Sequence, residues 1–415
     1  MTETERPLAG KTVAVVHAAW HSCGSYQLNV AQAAAYRDLG AHVISYALRE
    51  WPPGRAAAQR RAYFAHTADM PAHERFYGAM PTRALLRPRF WRDLYWPLIH
   101  GDHARATAAM IALAETPADL AGRAVDLVHC NHFFCLPAAL ALKGGGPAPI
   151  FLETQDVQAR QYALRNESLW LVPPRASYAS MLAQERAWLD KADVLIHLNA
   201  DEDEAFRRLS PGARHALVYP AVAPPPTAPG GEAIVIVASG NLPNTLSVIW
   251  FLEEIAPRMR QAVTIVGTVA EAVAARAPAL YARWRALFAG RVDDIAAVYA
   301  RAGLVLLPTT EGHGLSIKTV EAMASGAPLI ATRHAFRGMR LDPASLDNVR
   351  LADTPDAFVD ALDQSARLIA AGAGVRGESA TRRAYERYFS AEAYRRALWA
   401  LAEPRLAGAR TEGAP

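Results

Sequence analysis

Short apolar runs followed by helix-forming stretches recur along this chain in two separate series. That alternation restricts the fold more than any single motif. Thr12-Val13-Ala14-Val15-Val16-His17 reads as a buried strand, followed by a turn centred on Gly24 and a helix over about 27–39. Gly40 is placed to end that helix, and Ala41-His42-Val43-Ile44-Ser45-Tyr46 is the next strand. Further strand signals stand at 125–129, 149–153 and 193–198, the last leading into a charged helix over 201–209. A proline-rich, aperiodic stretch at 220–231 then interrupts the pattern, as a stiff linker does. Beyond it the series restarts, with strands at 234–237, 263–267, 304–308 and 328–332 and a helix over 247–259.

Strands that alternate with helices need parallel sheets covered on both faces. The expected fold is therefore α/β, with two Rossmann-like doubly wound domains facing a central cleft at the carboxyl ends of their strands. The boundaries read as 1–219, a linker at 220–232, a second domain at 233–380 and amphipathic, arginine-rich C-terminal helices at 381–415. Those last helices are placed to pack back on the first domain. The region from about 49 to 115 breaks the alternation and shows no clear strand, so it reads as a helical insertion.

At 415 residues the chain has room for two cores, and its formal charge of +4 is small for that length. Nothing in that balance calls for nucleic acid. Charge is uneven, however: between Arg49 and Asp93 nine arginines face Glu50, Asp69, Glu74 and Asp93. With its Trp and Tyr residues, the 49–92 segment has two readings. It is either a solvated helical cover or a surface that meets an anionic membrane or lipid-linked molecule. Cys23, Cys130 and Cys135 cannot all pair and fit no zinc spacing, which suits a reducing compartment. The start, Met-Thr-Glu-Thr-Glu-Arg-Pro, is not that of a signal peptide, and no apolar run approaches a membrane span. The expectation is a cytoplasmic enzyme, in contact at most with the inner membrane face.

Residues 311–326, Glu-Gly-His-Gly-Leu-Ser-Ile-Lys-Thr-Val-Glu-Ala-Met-Ala-Ser-Gly, carry the chemistry. They join a strand to a helix through a glycine-flanked turn. Such a turn lets backbone approach a ligand, and the helix start offers free N–H groups to an anion. Lys318 adds positive charge there, and Glu321 one turn on can accept hydrogen bonds from vicinal hydroxyls such as those of a ribose. Phosphate contacts and a hydroxyl clamp this close together point to a nucleotide. Asp293-Asp294 opens a helix and reads as an N-cap rather than a metal pair.

With these motifs in order, the chain resembles the retaining GT-B glycosyltransferases of family 4. The resemblance runs from Gly240-Asn241-Leu242-Pro243-Asn244 through Ile265-Val266-Gly267 and Val292-Asp293-Asp294-Ile295 to Gly312-x-Gly314-x-x-x-Lys318-x-x-Glu321 and Thr332. In the N-terminal half it is looser, resting on Gly24, Asp126-Leu127-Val128-His129 and Glu153-Thr154-Gln155-Asp156-Val157. It implies sugar transfer from a nucleoside diphosphate sugar without a bound metal or other cofactor. The donor would be held by Gly240, Asn241, Asn244, Gly267, Val292, Asp293, Gly312, Gly314, Leu315, Ser316, Lys318 and Glu321. Gly24, Gln155 and Asp156 would face an acceptor whose identity the sequence does not give. Lys318, Glu321, His313, His132 and His129 are the candidates for the reacting centre. The other readings are a GT-B-fold nucleotide-sugar epimerase, or a weakly active subunit that binds a nucleotide sugar.

Three departures from the family pattern bear on this. His313 stands where the first of two spaced acidic residues is usual, and Glu311 lies two positions earlier. The stretch from Gly240 to Trp250 has no basic residue, which leaves the diphosphate to Lys318, with Arg337 as a second cation. Gln155 stands where relatives often carry histidine, so either Gln155 or one of His129 and His132 is the sugar contact. As plain residues, His129 and His132 read as core or cleft-edge histidines, and Gly24 as a position chosen for backbone freedom.

Overall fold

The computed structural model describes residues 6–21, 23–50, 56–225, 230–372 and 376–411. The central strands form where Val, Ile, Leu and Ala run together, because both faces of each strand are covered and no polar alternation is needed. The chain divides into two units. One comprises the residues up to Leu198, Glu202–Pro220 and the C-terminal segment from Tyr394; the other comprises Asn199–Asp201 and Ala221–Ala393. The C-terminal helix Ala391–Thr411 thus contributes most of its length to the first unit, and the second runs past residue 380 to Ala393. Part of the linker read at 220–232, residues 226–229, lies outside the described residues, as do 51–55 of the insertion.

In the first unit the described strands are β1 (Thr12–Ala18), β2 (His42–Leu48), β3 (Glu74–Gly78), β4 (Leu127–Asn131), β5 (Ile150–Glu153), β6 (Val194–His197) and β7 (His215–Leu217). They form one parallel sheet in the order β3-β2-β1-β4-β5-β6-β7. The order reverses beside β1, the position where doubly wound sheets open a crevice at their carboxyl ends. Its core includes Val16, Ile44, Val128, Leu152, Phe133 and Leu136.

The second unit holds β8 (Ala233–Val237), β9 (Val263–Val266), β10 (Phe288–Gly290), β11 (Ala302–Leu307), β12 (Leu329–Ala331) and β13 (Val349–Leu351). Their order, β10-β9-β8-β11-β12-β13, repeats the same winding, again all parallel. Phe251, Leu252, Ile265, Leu306 and Phe358 fill its core. Each unit is a Rossmann-like domain.

The 49–115 region is not purely helical. Glu74-Arg75-Phe76-Tyr77-Gly78 is the edge strand β3, paired with β2 from Ile44↔Glu74 to Leu48↔Gly78. One open side leaves it half-buried and charged, and such a segment lacks the continuous apolar run of a central strand. The outer strands β7, β10 and β13 escape the sequence pattern for the same reason.

Candidate functional site

In the second unit the phosphate-type turn follows β11 and leads into the helix Ile317–Ser325. Ser316 caps that helix: its Oγ accepts from the Thr319 N–H at 3.4 Å and from Thr319 Oγ1 at 2.9 Å. Gly312 and Gly314 take φ values of 121° and 65°, a left-handed backbone that turns the loop back toward the helix start. A Cβ at Gly312 would lie 2.7 Å from the Arg337 guanidinium, so a larger residue would require that cation to shift. Burial lowers the Arg337 pKa from its ordinary value, and its Nε has no hydrogen-bond partner. A half-buried guanidinium with a free donor is suited to an anion.

Lys318 and Glu321 are brought together, but with each other. Lys318 Nζ donates to Glu321 Oε2 at 2.9 Å. The phenol of Tyr299 lies beneath this pair, donates to the Lys318 carbonyl at 3.3 Å, and is held well above its ordinary pKa by burial and by Glu321. No local signal in the sequence marks Tyr299 as a phenol that reaches a neighbouring helix.

Two further loops border this turn. Gly240 donates its N–H to Thr268 Oγ1 at 2.9 Å, tying the turn after β8 to the one after β9. Gly267 has φ 119° and abuts the Ala238 carbonyl. Asn241 caps the helix Leu242–Trp250 by accepting from the Asn244 N–H at 3.0 Å, and Asn244 Nδ2 donates to Ser239 Oγ at 2.9 Å. Ser247 on that helix accepts from the Thr310 N–H at 3.1 Å, which joins the first loop to the 308–316 turn. Leu315 is half-buried beside Ser316, and His313 and Glu311 are exposed with no hydrogen bond or ion pair among the described residues. Val292 and Asp293 lie at the start of the helix Ile295–Arg301, where Asp294 is the cap, accepting from the Ala297 N–H at 2.9 Å. Among the described residues, no cluster of His, Cys, Asp and Glu is arranged to hold a metal ion.

In the first unit the structure corrects several expectations. His129 is not at the sheet edge facing a ligand: it has no exposed surface, and its ring nitrogens meet Tyr36 Oη at 2.8 Å and Glu153 Oε2 at 3.3 Å. With both nitrogens bonded inside the core, it is a structural histidine. Gly24 has neither positive φ nor a close neighbour; it simply begins the helix Gly24–Asp38, so backbone freedom does not explain it. Asp203, in the charged helix read over 201–209, is buried and accepts from Arg207 Nε at 3.0 Å.

Gln155 follows the end of β5, with φ 58°. Ser25 Oγ donates to its Oε1 at 2.6 Å, and its Nε2 reaches Asn131 Oδ1 at 3.4 Å. Behind it, Gln32 Nε2 donates to Asn131 Oδ1 at 2.9 Å and to Glu153 Oε2 at 2.7 Å, so a buried polar lattice fixes the Gln155 amide. Asp156, with a pKa raised by burial, accepts from Gln158 Nε2. His132 ends β4 with φ 64°, and its ring stacks on Phe134 at 4.9 Å and meets Trp20 edge-on at 5.0 Å. Burial pushes its pKa down to about 3, and neither ring nitrogen has a partner. Non-glycine residues in that backbone region are costly and collect where geometry serves a ligand.

Comparison with known proteins finds a likeness in sequence over part of the chain and in fold over most of it. Residues 233–368 match the family model described as glycosyl transferases group 1. HepE of Anabaena, solved with UDP, shares 13% identity at a TM-score of 0.59, with 95% of this chain and 100% of that one covered. Sucrose-phosphate synthase of Thermosynechococcus elongatus shares 17% at 0.56, with 96% and 100% covered. A glycosyltransferase of Rickettsia africae shares 12% at 0.54, with 95% and 98% covered. No curated protein matches the chain in sequence. The fold is that of the GT-B glycosyltransferases. Among the described residues, no helix is long and apolar enough to cross a membrane.

The Gly312 geometry carries a prediction. Gly312→Ala should cost about 1–2 kcal/mol through its left-handed backbone and should displace Arg337. Thermal melts would show a lowered midpoint.

Proposed function

We propose that this protein is a retaining glycosyltransferase that uses a nucleoside diphosphate sugar and transfers the sugar to an acceptor hydroxyl. The observation that carries this reading is the capped helix start at Ser316, flanked by left-handed Gly312 and Gly314 and by the cations Lys318 and Arg337. It lies in the segment that matches group 1 glycosyl transferases. Backbone N–H groups at 314–316, Lys318 and Arg337 would hold the diphosphate. Glu321 would take the ribose hydroxyls, and the turns at Gly240, Gly267 and Val292-Asp293 would border the base.

The Lys318–Glu321 ion pair is then a resting arrangement. Both side chains are partly exposed, and pairs of that kind contribute about 0–1 kcal/mol. A diphosphate and a ribose can therefore part them at small cost, each ligand group replacing one partner. In the reaction the bond from the anomeric carbon to the diphosphate oxygen breaks, and a bond to the acceptor oxygen forms on the same face. The acceptor proton passes to the leaving diphosphate, whose growing charge Lys318 and Arg337 stabilise. Gln155 suits the role of sugar contact better than His132: its amide is partly exposed and oriented by Ser25 and Asn131, whereas the His132 ring is buried against Phe134.

A thermal-shift screen over UDP-, GDP-, ADP- and dTDP-sugars tests the donor assignment, because specific binding stabilises the fold by mass action. At least one should raise the melting midpoint by several degrees, with uridine the first base to try, since HepE is solved with UDP. A flat response across the panel would refute the reading. Once an acceptor is found, NMR of the product's anomeric proton decides stereochemistry, and an inverted product would refute retention.

A further inference from the structure

The insertion exposes an aromatic face that its own unit does not cover. Phe90 and Leu94 point inward to Met80, Ala84, Met110 and Leu113, while Trp91 and Tyr95 on the same segment point outward. The outer side of a solvated cover would be polar. Here it continues from Leu86, 86% exposed, through Trp91 and Tyr95 to Trp96, 54% exposed. Trp91 and Tyr95 touch edge-on at 5.1 Å, and Tyr95 and Trp96 at 6.2 Å. The loop that carries Trp170, 85% exposed, is joined to the same segment, because the Val172 N–H donates to the Ile99 carbonyl at 2.9 Å and the Ala176 N–H to the His100 carbonyl at 2.8 Å. Contiguous exposed apolar surface of this kind marks an interaction site.

Charge decides its occupant. Arg87, Arg89 and Arg175 are exposed along this face and make no ion pair among the described residues. Asp93 is already taken by Arg92 and Arg105, at 2.7 and 3.0 Å. Beside Trp96, an open groove of about 470 Å³ is lined by Arg92, Arg105, Arg175 and His100, with Asp102 as its one carboxylate. Indole and phenol rings interleaved with guanidinium groups match the graded boundary between phosphate headgroups and acyl chains.

We propose that this face docks on an anionic lipid bilayer, with Leu86, Trp91, Trp96 and Trp170 at the headgroup boundary and the arginines on lipid phosphates. The structure thereby favours the membrane reading of the insertion over the solvated cover, and extends the surface beyond 49–92 to Trp96, Trp170 and Arg175. The proposal does not depend on glycosyl transfer.

Co-sedimentation of the full chain with phosphatidylcholine vesicles, with and without 30% phosphatidylglycerol, tests it at low and high salt. Binding should require phosphatidylglycerol, fall at least tenfold in high salt, and shift tryptophan emission to the blue. Three charges each worth roughly fivefold predict at least about a hundredfold loss for Arg87→Glu/Arg89→Glu/Arg175→Glu. Trp91→Ser/Trp96→Ser/Trp170→Ser should abolish the blue shift, with melting curves as the control for folding. No binding to anionic vesicles at low salt would overturn the proposal, as would binding that neither variant weakens. Dimerisation abolished by the tryptophan variant, without vesicle binding, would reassign the face to a second copy of the chain.

Discussion

Lys318→Ala should lower the transfer rate by roughly 10²–10³-fold, the usual loss when one preorganised charge partner of a developing anion is removed. The fold should survive, since the substitution breaks only a partly exposed ion pair with Glu321. Glu321 would then be an unopposed carboxylate beside the proposed diphosphate site, so donor affinity should also fall. The loss should be larger in kcat than in the donor KM, because the charge on the diphosphate grows as the sugar leaves. Lys318→Arg should recover part of the rate. Arg337→Met should cost less alone, yet the double variant should fall short of the product of the two single effects, since both cations face one charge. Steady-state kinetics on the four proteins measure all of this. Transfer by Lys318→Ala within threefold of the parent rate would remove Lys318 from the phosphate site.

How legible this site was depends on the distance over which each contact is made. The turn from Gly312 to Glu321 could be read because its glycines, helix start, lysine and carboxylate follow one another at helical spacing. The N-cap role of Asp294 could be read for the same reason. Arg337 was visible only as a nearby cation; its position against Gly312 is a contact between two loops that no local pattern encodes. Tyr299 beneath Glu321 and the Gln32–Asn131–Glu153 lattice behind Gln155 are contacts of that kind too. His129 was ambiguous because a strand buried on both faces shows no alternation, so its one histidine gives no clue to the side it faces. The central strands were plain and the edge strands β3, β7, β10 and β13 were not, for burial alone writes a continuous apolar run.

Glu185 should make the first unit less stable as pH rises through neutrality. Its carboxylate is buried on the helix Tyr178–Leu189 and accepts from the N–H groups of Gln158 and Ala159, at 3.2 and 2.8 Å, where the helix Gln158–Glu167 begins. Those bonds favour the charged form, but burial outweighs them and pushes the pKa from an ordinary 4.5 up to about 7. Between these values the folded chain holds a proton that the unfolded chain has lost. Stability is therefore fully present below about pH 4.5 and is lost as pH rises through 7, by about 3 kcal/mol in all. Glu185→Gln keeps an acceptor for the Ala159 N–H and cannot ionise. It should match the parent near pH 4.5 and exceed it by up to about 3 kcal/mol at pH 8, as urea melts across that range would show. A variant less stable than the parent at pH 8 would mean that the two N–H bonds outweigh burial. The consequence for transfer follows from position: Gln158 lies three residues beyond Gln155, and Asp156 between them also has a pKa raised by burial. Ionising Glu185 puts a second negative charge near Asp156, the neighbour of Gln155 in the chain, so the parent's transfer rate should fall above neutral pH more steeply than that of Glu185→Gln.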